Sequence, residues 1–327
     1  MTTPLLRVEG LAKYFPLRKG WLGGSRGAVH AVDGVSFQLN QGETLGLVGE
    51  SGCGKSTLGK AILRLIEPDA GTIWFRDEDV LLADGPRLRT LRRNMQMIFQ
   101  DPFSSLNPRM KVGAILAEPF GIHRLATDAA ARDRAVAGLL EMVGLPLAAR
   151  ERFPHEFSGG QRQRIGIARS LALRPQLIIA DEPVSALDVS IQSQILNLLK
   201  DLKERLNLTM IFISHDLAVV EFISDFVAVM YLGRIVEFAK GRELYEHPLH
   251  PYTQALIAAI PQSSVRSSGK RSPAVLDGDV PNPAAPPSGC AFHPRCPRAS
   301  ERCRTELPIL SRRGAVGDAR EVACHHV

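Results

Sequence analysis

Gly49-Glu50-Ser51-Gly52-Cys53-Gly54-Lys55-Ser56-Thr57 is the stretch whose reading decides the fold. An apolar run, Thr44 to Val48, leads into it and an amphipathic run, Leu58 to Ile66, leads out, so it reads as strand, phosphate loop and helix. Glycines at its first and sixth positions let the backbone curl until successive N–H groups point at phosphate oxygens. The helix that follows adds the positive end of its dipole. In this pattern Lys55 reaches the β- and γ-phosphates, and the Ser56 hydroxyl holds Mg²⁺. A glycine-rich turn without a ligand is the bland alternative. The complete G-x-x-x-x-G-K-S string in its strand–loop–helix setting argues against it.

Composition sets the bounds. At 327 residues the chain has room for about two domains, and 45% hydrophobic with 23% charged residues is ordinary globular usage that can bury a sizeable core. No apolar run reaches the roughly 18 residues that span a bilayer, and MTTPLLRVEGLAK lacks the regions of a secretory signal. A cytoplasmic or peripheral protein is expected. Forty basic residues against 34 acidic ones give a formal charge of +6, a mild excess that reads as solvated surface, and no nucleic-acid partner is expected. Cys53 sits in the phosphate loop at a helix start, where a thiolate is favoured. Cys290, Cys296, Cys303 and Cys324 cluster late, as a metal site or staple would.

Leu5 to Leu11 and Val29 to Leu39 alternate apolar and polar residues and predict an antiparallel layer, joined by the glycine-rich, basic residues 18–27. Tyr14 and Phe15 lie there, and either ring could stack on adenine or fill core. Short strands follow at Thr72–Phe75 and Met97–Phe99, the latter ending at Gln100. From about 101 to 171, turn punctuation and alanine-rich stretches such as Thr127 to Val143 predict an inserted helical subdomain. Leu177–Ala180 is a continuous apolar run, as in a strand buried on both faces. Ile191, Ile195, Leu198, Leu199 and Leu202 then share a helical face. Strands at Met210–Ile213, Phe226–Tyr231 and Arg234–Phe238 complete an alternation that predicts a doubly wound parallel sheet. Residues 261–288, rich in Pro, Ser and Gly, read as a linker or extended tail.

Asp181 and Glu182 end a buried strand, where adjacent side chains point to opposite sides and can do different work. Asp181 suits Mg²⁺ through water, and Glu182 suits the attacking water at the γ-phosphate. Ser158-Gly159-Gly160-Gln161 forms a second helix start suited to anions. Two such ends in one chain are economical if one serves a partner's nucleotide; an ordinary capped helix is the alternative.

GESGCGKST, Gln100, FSGGQ at 157–161, LIIADE at 177–182, SALD at 185–188 and His215 occur in the order and at about the separations of ATP-binding cassette (ABC) ATPases. The chain resembles that family over roughly residues 5–260. The resemblance implies ATP and Mg²⁺ as ligands, with Gly49, Ser51, Gly52, Gly54, Lys55, Ser56 and Thr57 around the phosphates and Phe15 as the adenine-stacking ring. Ser56, Gln100 and Asp181 would serve Mg²⁺. Glu182, His215, Lys55 and Gln100 would serve catalysis, while Ser158 and Gly160 clamp ATP on the opposite subunit and Asp188 communicates across the dimer. Phe157 stands where the family usually has Leu, a conservative apolar swap.

DPFSSLNPRM after Gln100, the string His247-Pro248-Leu249-His250-Pro251-Tyr252-Thr253 and the tail GCAFHPRCP resemble the ATP-binding subunit of dipeptide or oligopeptide importers, of the type named with the letter F. This implies an α/β fold: a phosphate-loop NTPase core with parallel sheet, antiparallel β layer, inserted helical subdomain and Cys-containing C-terminal extension. An ATPase domain over 1–260 would precede the extension over 261–327. The implied partners are a second homologous ATP-binding subunit in a heterodimer, two transmembrane permeases and, indirectly, an extracytoplasmic solute-binding protein. The implied place is the cytoplasmic face of the inner membrane. Nickel importers share much of the pattern and leave the solute open. A soluble cassette ATPase acting on nucleic acid or ribosomes is the rival class, and the tail argues for transport. The four late cysteines have five, six and twenty residues between them, unlike the tight zinc knuckle. By resemblance to some peptide-importer ATPases they predict a 4Fe-4S cluster, with zinc or four free thiols as the alternatives.

Overall fold

The computed structural model describes residues 3–17, 27–101, 105–125, 128–260, 278–313 and 320–327. The basic connection over 18–26, residues 102–104 after Gln100, Thr127 and most of the predicted linker, 261–277, lie outside the described residues. Two compact units alternate along the chain, one of residues 6–39, 44–81 and 214–327, the other of residues 1–5, 40–43 and 82–213.

The first unit carries the phosphate loop. Its antiparallel layer runs in the order Ala28–Leu39, Leu6–Pro16, Ala70–Phe75, Glu78–Asp79, with Lys13 opposite Val32 and Val8 opposite Ile73. Leu6, Val8 and Leu11 are buried between exposed Arg7 and Glu9, as the alternation predicts. The strand runs past Leu11 to Pro16 because a bulge at Gly10, φ 57°, shifts the register between Val8 and Leu11.

In the same unit Thr44–Val48 pairs in parallel with Phe226–Tyr231, Val48 facing Val229. All five residues of Thr44–Val48 are buried, the mark of a strand covered on both faces. Arg234–Lys240 departs from the predicted parallel pattern: only Leu232 (φ 43°) and Gly233 (φ 81°) separate it from the preceding strand, and it pairs antiparallel. Two residues can reverse a chain but cannot hold a crossover. Glu321–Val322 then pairs with this strand, Val322 opposite Glu237, and Ser311–Arg312 pairs with it in turn. The extension therefore ends as sheet.

The second unit is built on Met95–Ile98, Leu177–Asp181 and Thr209–Ile213, all parallel, with Ile179 between Met97 and Ile211. Every residue of the last two strands is buried. The first ends one residue short of the predicted Phe99, which is exposed. Helices Val112–Ile122, Ala129–Met142 and Gly159–Leu171 follow, and Asp128 caps the second by accepting from Ala131 N at 2.6 Å. Helix Gly85–Asn94 left no apolar period to read, since only Leu91 of it is buried; Asp84 starts it by accepting from Arg87 N at 2.8 Å. Val189–Leu206 buries Ile195, Leu196, Leu199 and Leu202 and stops at Asn207, φ 50°. No described helix is long and apolar enough to cross a membrane.

Candidate functional site

The phosphate loop owes its shape to three glycines at positive φ: Gly49 (152°), Gly52 (79°) and Gly54 (106°). A Cβ on Gly49 would lie 2.1 Å from Met230 O, and one on Gly54 would lie 1.8 Å from Ala31 O. Neighbouring backbone therefore dictates the first and sixth positions. A Cβ on Gly52 would meet nothing within 4 Å, which leaves open space over the middle of the loop. Helix Lys55–Ile62 begins there with Gly54 as a cap that offers no side-chain acceptor, and its first turn holds no acidic residue. An acid-free helix start whose cap residue carries no side-chain acceptor suits phosphate oxygens. Lys55 is buried, and its Nζ donates to Gly49 O at 2.7 Å and Glu50 O at 3.0 Å. Ser51 and Gly52 are exposed, and Ser56 and Thr57 are half-buried. The expected thiolate at Cys53 is not favoured: the residue is buried and burial pushes its thiol up, although Lys55 beside it acts the other way.

Sequence reasoning missed two residues on this loop. Tyr252, fully buried, accepts from Glu50 N at 2.9 Å. Arg295 donates to both Glu50 carboxylate oxygens, at 2.8 and 3.0 Å. Both sat in strings that could be read only as a family mark, because long-range pairing leaves no local period.

Of the two candidate adenine rings, Tyr14 is tied down. Its hydroxyl donates to Asp33 Oδ1 at 2.6 Å, and that bond holds its pKa up at about 12. Phe15 is 39% exposed, with Lys13 Nζ 5.5 Å from its ring centre. His215 is exposed in a turn fixed by Ser214 Oγ accepting from Asp216 N at 3.0 Å and by Asp216 accepting from Ala218 N at 2.8 Å.

In the other unit Asp181 is buried at the end of its strand, and Glu182 takes a left-handed backbone, φ 46°. Glu182 N donates to Ile213 O at 3.0 Å, and its Oε2 accepts from Gln100 Nε2 at 2.9 Å. The turn, rather than strand alternation, sets the direction of that carboxylate. Ser158 Oγ accepts from Gln161 N at 3.3 Å while Gln161 Oε1 accepts from Ser158 N at 3.1 Å, a complete capping box. A Cβ on Gly160 would lie 2.5 Å from Ile191 Cγ2, so this helix start sits tight against the segment that Asp188 begins. Asp188 is exposed, and its carbonyl accepts from Gln192 N at 2.8 Å. Phe157 is buried, with the Arg152 guanidinium 4.4 Å from its ring centre.

The expectation of a 4Fe-4S cluster, or of zinc, on Cys290, Cys296, Cys303 and Cys324 is corrected. No group of three or more His, Cys, Asp or Glu among the described residues is arranged to hold a metal ion. All four cysteines are free, and burial pushes the Cys290 thiol up to about 11 and raises Cys296 and Cys324, against the thiolate a metal needs. Cys303 Sγ lies instead 3.4 Å from Ser300 Oγ and 3.4 Å from His326 Nε2.

Comparison with known proteins agrees with this geometry. Residues 32–185 match the family model described as ABC transporter, and residues 236–303 match that of the oligopeptide/dipeptide transporter C-terminal region. The oligopeptide transport ATP-binding protein AppF of Bacillus subtilis is 53% identical over 322 residues, covering 98% of this chain and 97% of that one. An ATP-binding cassette solved as a dimer in a post-hydrolysis state with ADP and Pi is 27% identical, with a TM-score of 0.64 over 72% of this chain and 99% of its own. The cbiO1 protein of Clostridium perfringens, part of the ABC transporter complex cbiONQ, is 27% identical, with a TM-score of 0.63 over 75% of this chain and 92% of its own. The chain belongs to the ABC transporter family of ATPases, in its oligopeptide/dipeptide branch.

Proposed function

We propose that this chain is the ATP-hydrolysing subunit of a peptide importer. The observation that carries this reading is the near-full-length identity to an oligopeptide transport ATP-binding protein, joined to a phosphate loop whose glycines and lysine are all in place. An ATPase domain over 1–260, with its helical insert over about 101–171, would power two permeases from the cytoplasmic face of the membrane. The extension over 261–327 would mark the peptide-importer type. A second homologous ATP-binding subunit completes each site, and a solute-binding protein delivers the peptide.

Each residue's role follows from its motif. Phe15 stacks on adenine. Gly49, Ser51, Gly52, Gly54, Lys55, Ser56 and Thr57 surround the phosphates, with Lys55 neutralising charge on the transferred group. Mg²⁺, when bound with ATP, neutralises phosphate charge, and Ser56, Asp181 and Gln100 are the residues to hold it. Glu182 orients or deprotonates the attacking water, its carboxylate steadied by Gln100, and His215 supports the γ-phosphate. Ser158 and Gly160 present their helix start to the partner subunit's nucleotide, and Asp188 relays across the dimer. Catalysis is positioning plus charge stabilisation.

The test is uptake. The chain reconstituted with its sister subunit, permeases and binding protein should import labelled dipeptide in an ATP-dependent way that Glu182→Gln abolishes. Uptake of nickel and not of peptide would reassign the solute, and absence of any ATP-driven uptake would overturn the transport reading.

A further inference from the structure

We propose that Arg295, carried on the C-terminal extension, is a positioning residue for the phosphate loop that acts through Glu50, so that docking of the extension and nucleotide affinity are linked. This rests on the nucleotide-site reading above.

Glu50 is the second residue of the loop, and each of its polar groups is held. Its N–H donates to the Tyr252 hydroxyl at 2.9 Å, and its carbonyl accepts from Lys55 Nζ at 3.0 Å. Its carboxylate takes Arg295 Nη1 at 2.8 Å and Nη2 at 3.0 Å. The Arg295 side chain is only 5% exposed, and Nη1 also reaches the Tyr231 hydroxyl at 3.5 Å. This is a half-buried two-pronged pair, with the Glu50 side chain 25% exposed, in the geometry by which an Arg–carboxylate contact fixes direction as well as charge.

Backbone hydrogen bonds and ring contacts hold the extension where it presents Arg295. Arg295 N donates to Phe292 O at 3.0 Å, and Cys290 N donates to Cys303 O at 2.8 Å. Phe292 is 1% exposed, stands edge-on to Tyr231 at 5.3 Å and lies 5.4 Å from Tyr252. Tyr231 and Tyr252 are themselves 4.7 Å apart. One aromatic cluster thus joins the strand beside the loop, the HPY string and the extension.

Charge gives the contact its consequence. A carboxylate inside a loop built for a polyanion opposes its own ligand unless it is neutralised. Arg295 neutralises it and fixes the Glu50 peptide, whose carbonyl is one of the two carbonyl acceptors for the Lys55 head. Without Arg295 the loop carries an unpaired negative charge, and its lysine rests on a less fixed carbonyl. A staple that served stability alone would lower the melting temperature and leave nucleotide affinity unchanged.

The experiment measures equilibrium binding of a fluorescent ATP analogue with Mg²⁺ to the full chain, with thermal unfolding recorded separately without nucleotide. Arg295→Met should weaken binding about tenfold, and Glu50→Gln, which removes the carboxylate's charge as well as the fork, should weaken it less. The double variant should be no weaker than Arg295→Met, because it no longer leaves a carboxylate unpaired. Arg295→Lys should recover part of the loss, since it restores charge without the fork. By reciprocity, saturating nucleotide should slow amide exchange across residues 290–305 in the wild type and not in Arg295→Met. Binding by folded Arg295→Met within about twofold of wild type, or losses that multiply in the double variant, would overturn the inference. If Arg295→Met does not fold, Arg295→Gln replaces it under the same criterion. A wild-type chain that bound no nucleotide would overturn the underlying site reading instead.

Discussion

Gln100 Nε2 donates to Glu182 Oε2 at 2.9 Å, so the residue just past one parallel strand holds the carboxylate just past its neighbour. Glu182 sits in a left-handed backbone that only its turn sustains. The amide fixes the direction of the carboxylate whose negative charge the attacking water would need. Glu182→Gln should therefore keep nucleotide binding, lose about a hundredfold or more in turnover, and trap ATP-bound dimers with the sister subunit. Gln100→Ala, which removes that contact but keeps the carboxylate, should lose less. Phosphate release and size-exclusion chromatography report both, and near-normal turnover of Glu182→Gln would remove it from its role.

The loop glycines separate into two kinds. A methyl on Gly54 would enter Ala31 O at 1.8 Å, at a φ of 106° that side chains avoid. Gly54→Ala should therefore destabilise the chain by about 3 kcal/mol or more, with melting as the readout. A methyl on Gly52 meets nothing within 4 Å and projects into space that a phosphate would fill. Gly52→Ala should cost about 1–2 kcal/mol of backbone strain, yet lose nucleotide affinity disproportionately. Equal melting losses in the two variants would contradict the distinction.

Where local pattern and tertiary demand coincide, the sequence is readable. The buried runs Thr44–Val48 and Leu177–Asp181 are apolar end to end because both faces are covered. Gly85–Asn94 escaped because a helix burying a single leucine leaves no stripe. The turn at Leu232-Gly233 was short enough to forbid a crossover, but strand spacing alone suggested another parallel partner. The Arg295–Glu50 pair spans 245 positions, and no window of sequence can relate two such charges. The cysteines misled in the opposite way: their late clustering and their resemblance to those of other importer ATPases suggested a ligand set, whereas burial raises three of the thiols.

Cys53 looks reactive by position and is inert by environment. It is 5% exposed, and burial outweighs the nearby Lys55 ammonium in setting its thiol. Near neutral pH, N-ethylmaleimide should leave Cys53 unmodified in the native chain and label it fully in denaturant, as mapped by peptide mass spectrometry. Native labelling at the denatured rate would show that the loop opens far more than its bonds to Glu50 and Gly233 suggest.

His250 should make the chain acid-sensitive. It is 1% exposed, and its Nδ1 accepts from Tyr252 N at 3.1 Å, so a second proton would have to displace that bond. Burial lowers its pKa from 6.5 to about 4. Between those values the unfolded chain binds a proton that the native chain refuses, so stability falls as pH drops through 6.5 toward 4. By about pH 5 the loss should reach about 2 kcal/mol. Glu237, whose carboxylate accepts from Leu249 N and His250 N at 2.8 Å each, runs the other way: burial raises its pKa, so its contribution is full below the ordinary carboxylate range and is lost as pH rises. That opposing slope is shared by wild type and a His250→Gln variant and cancels in their difference. The wild type's advantage over His250→Gln in urea unfolding should therefore shrink by about 2 kcal/mol between neutrality and about pH 5. An advantage that stays constant would mean that His250 takes up its proton as freely in the fold as outside it.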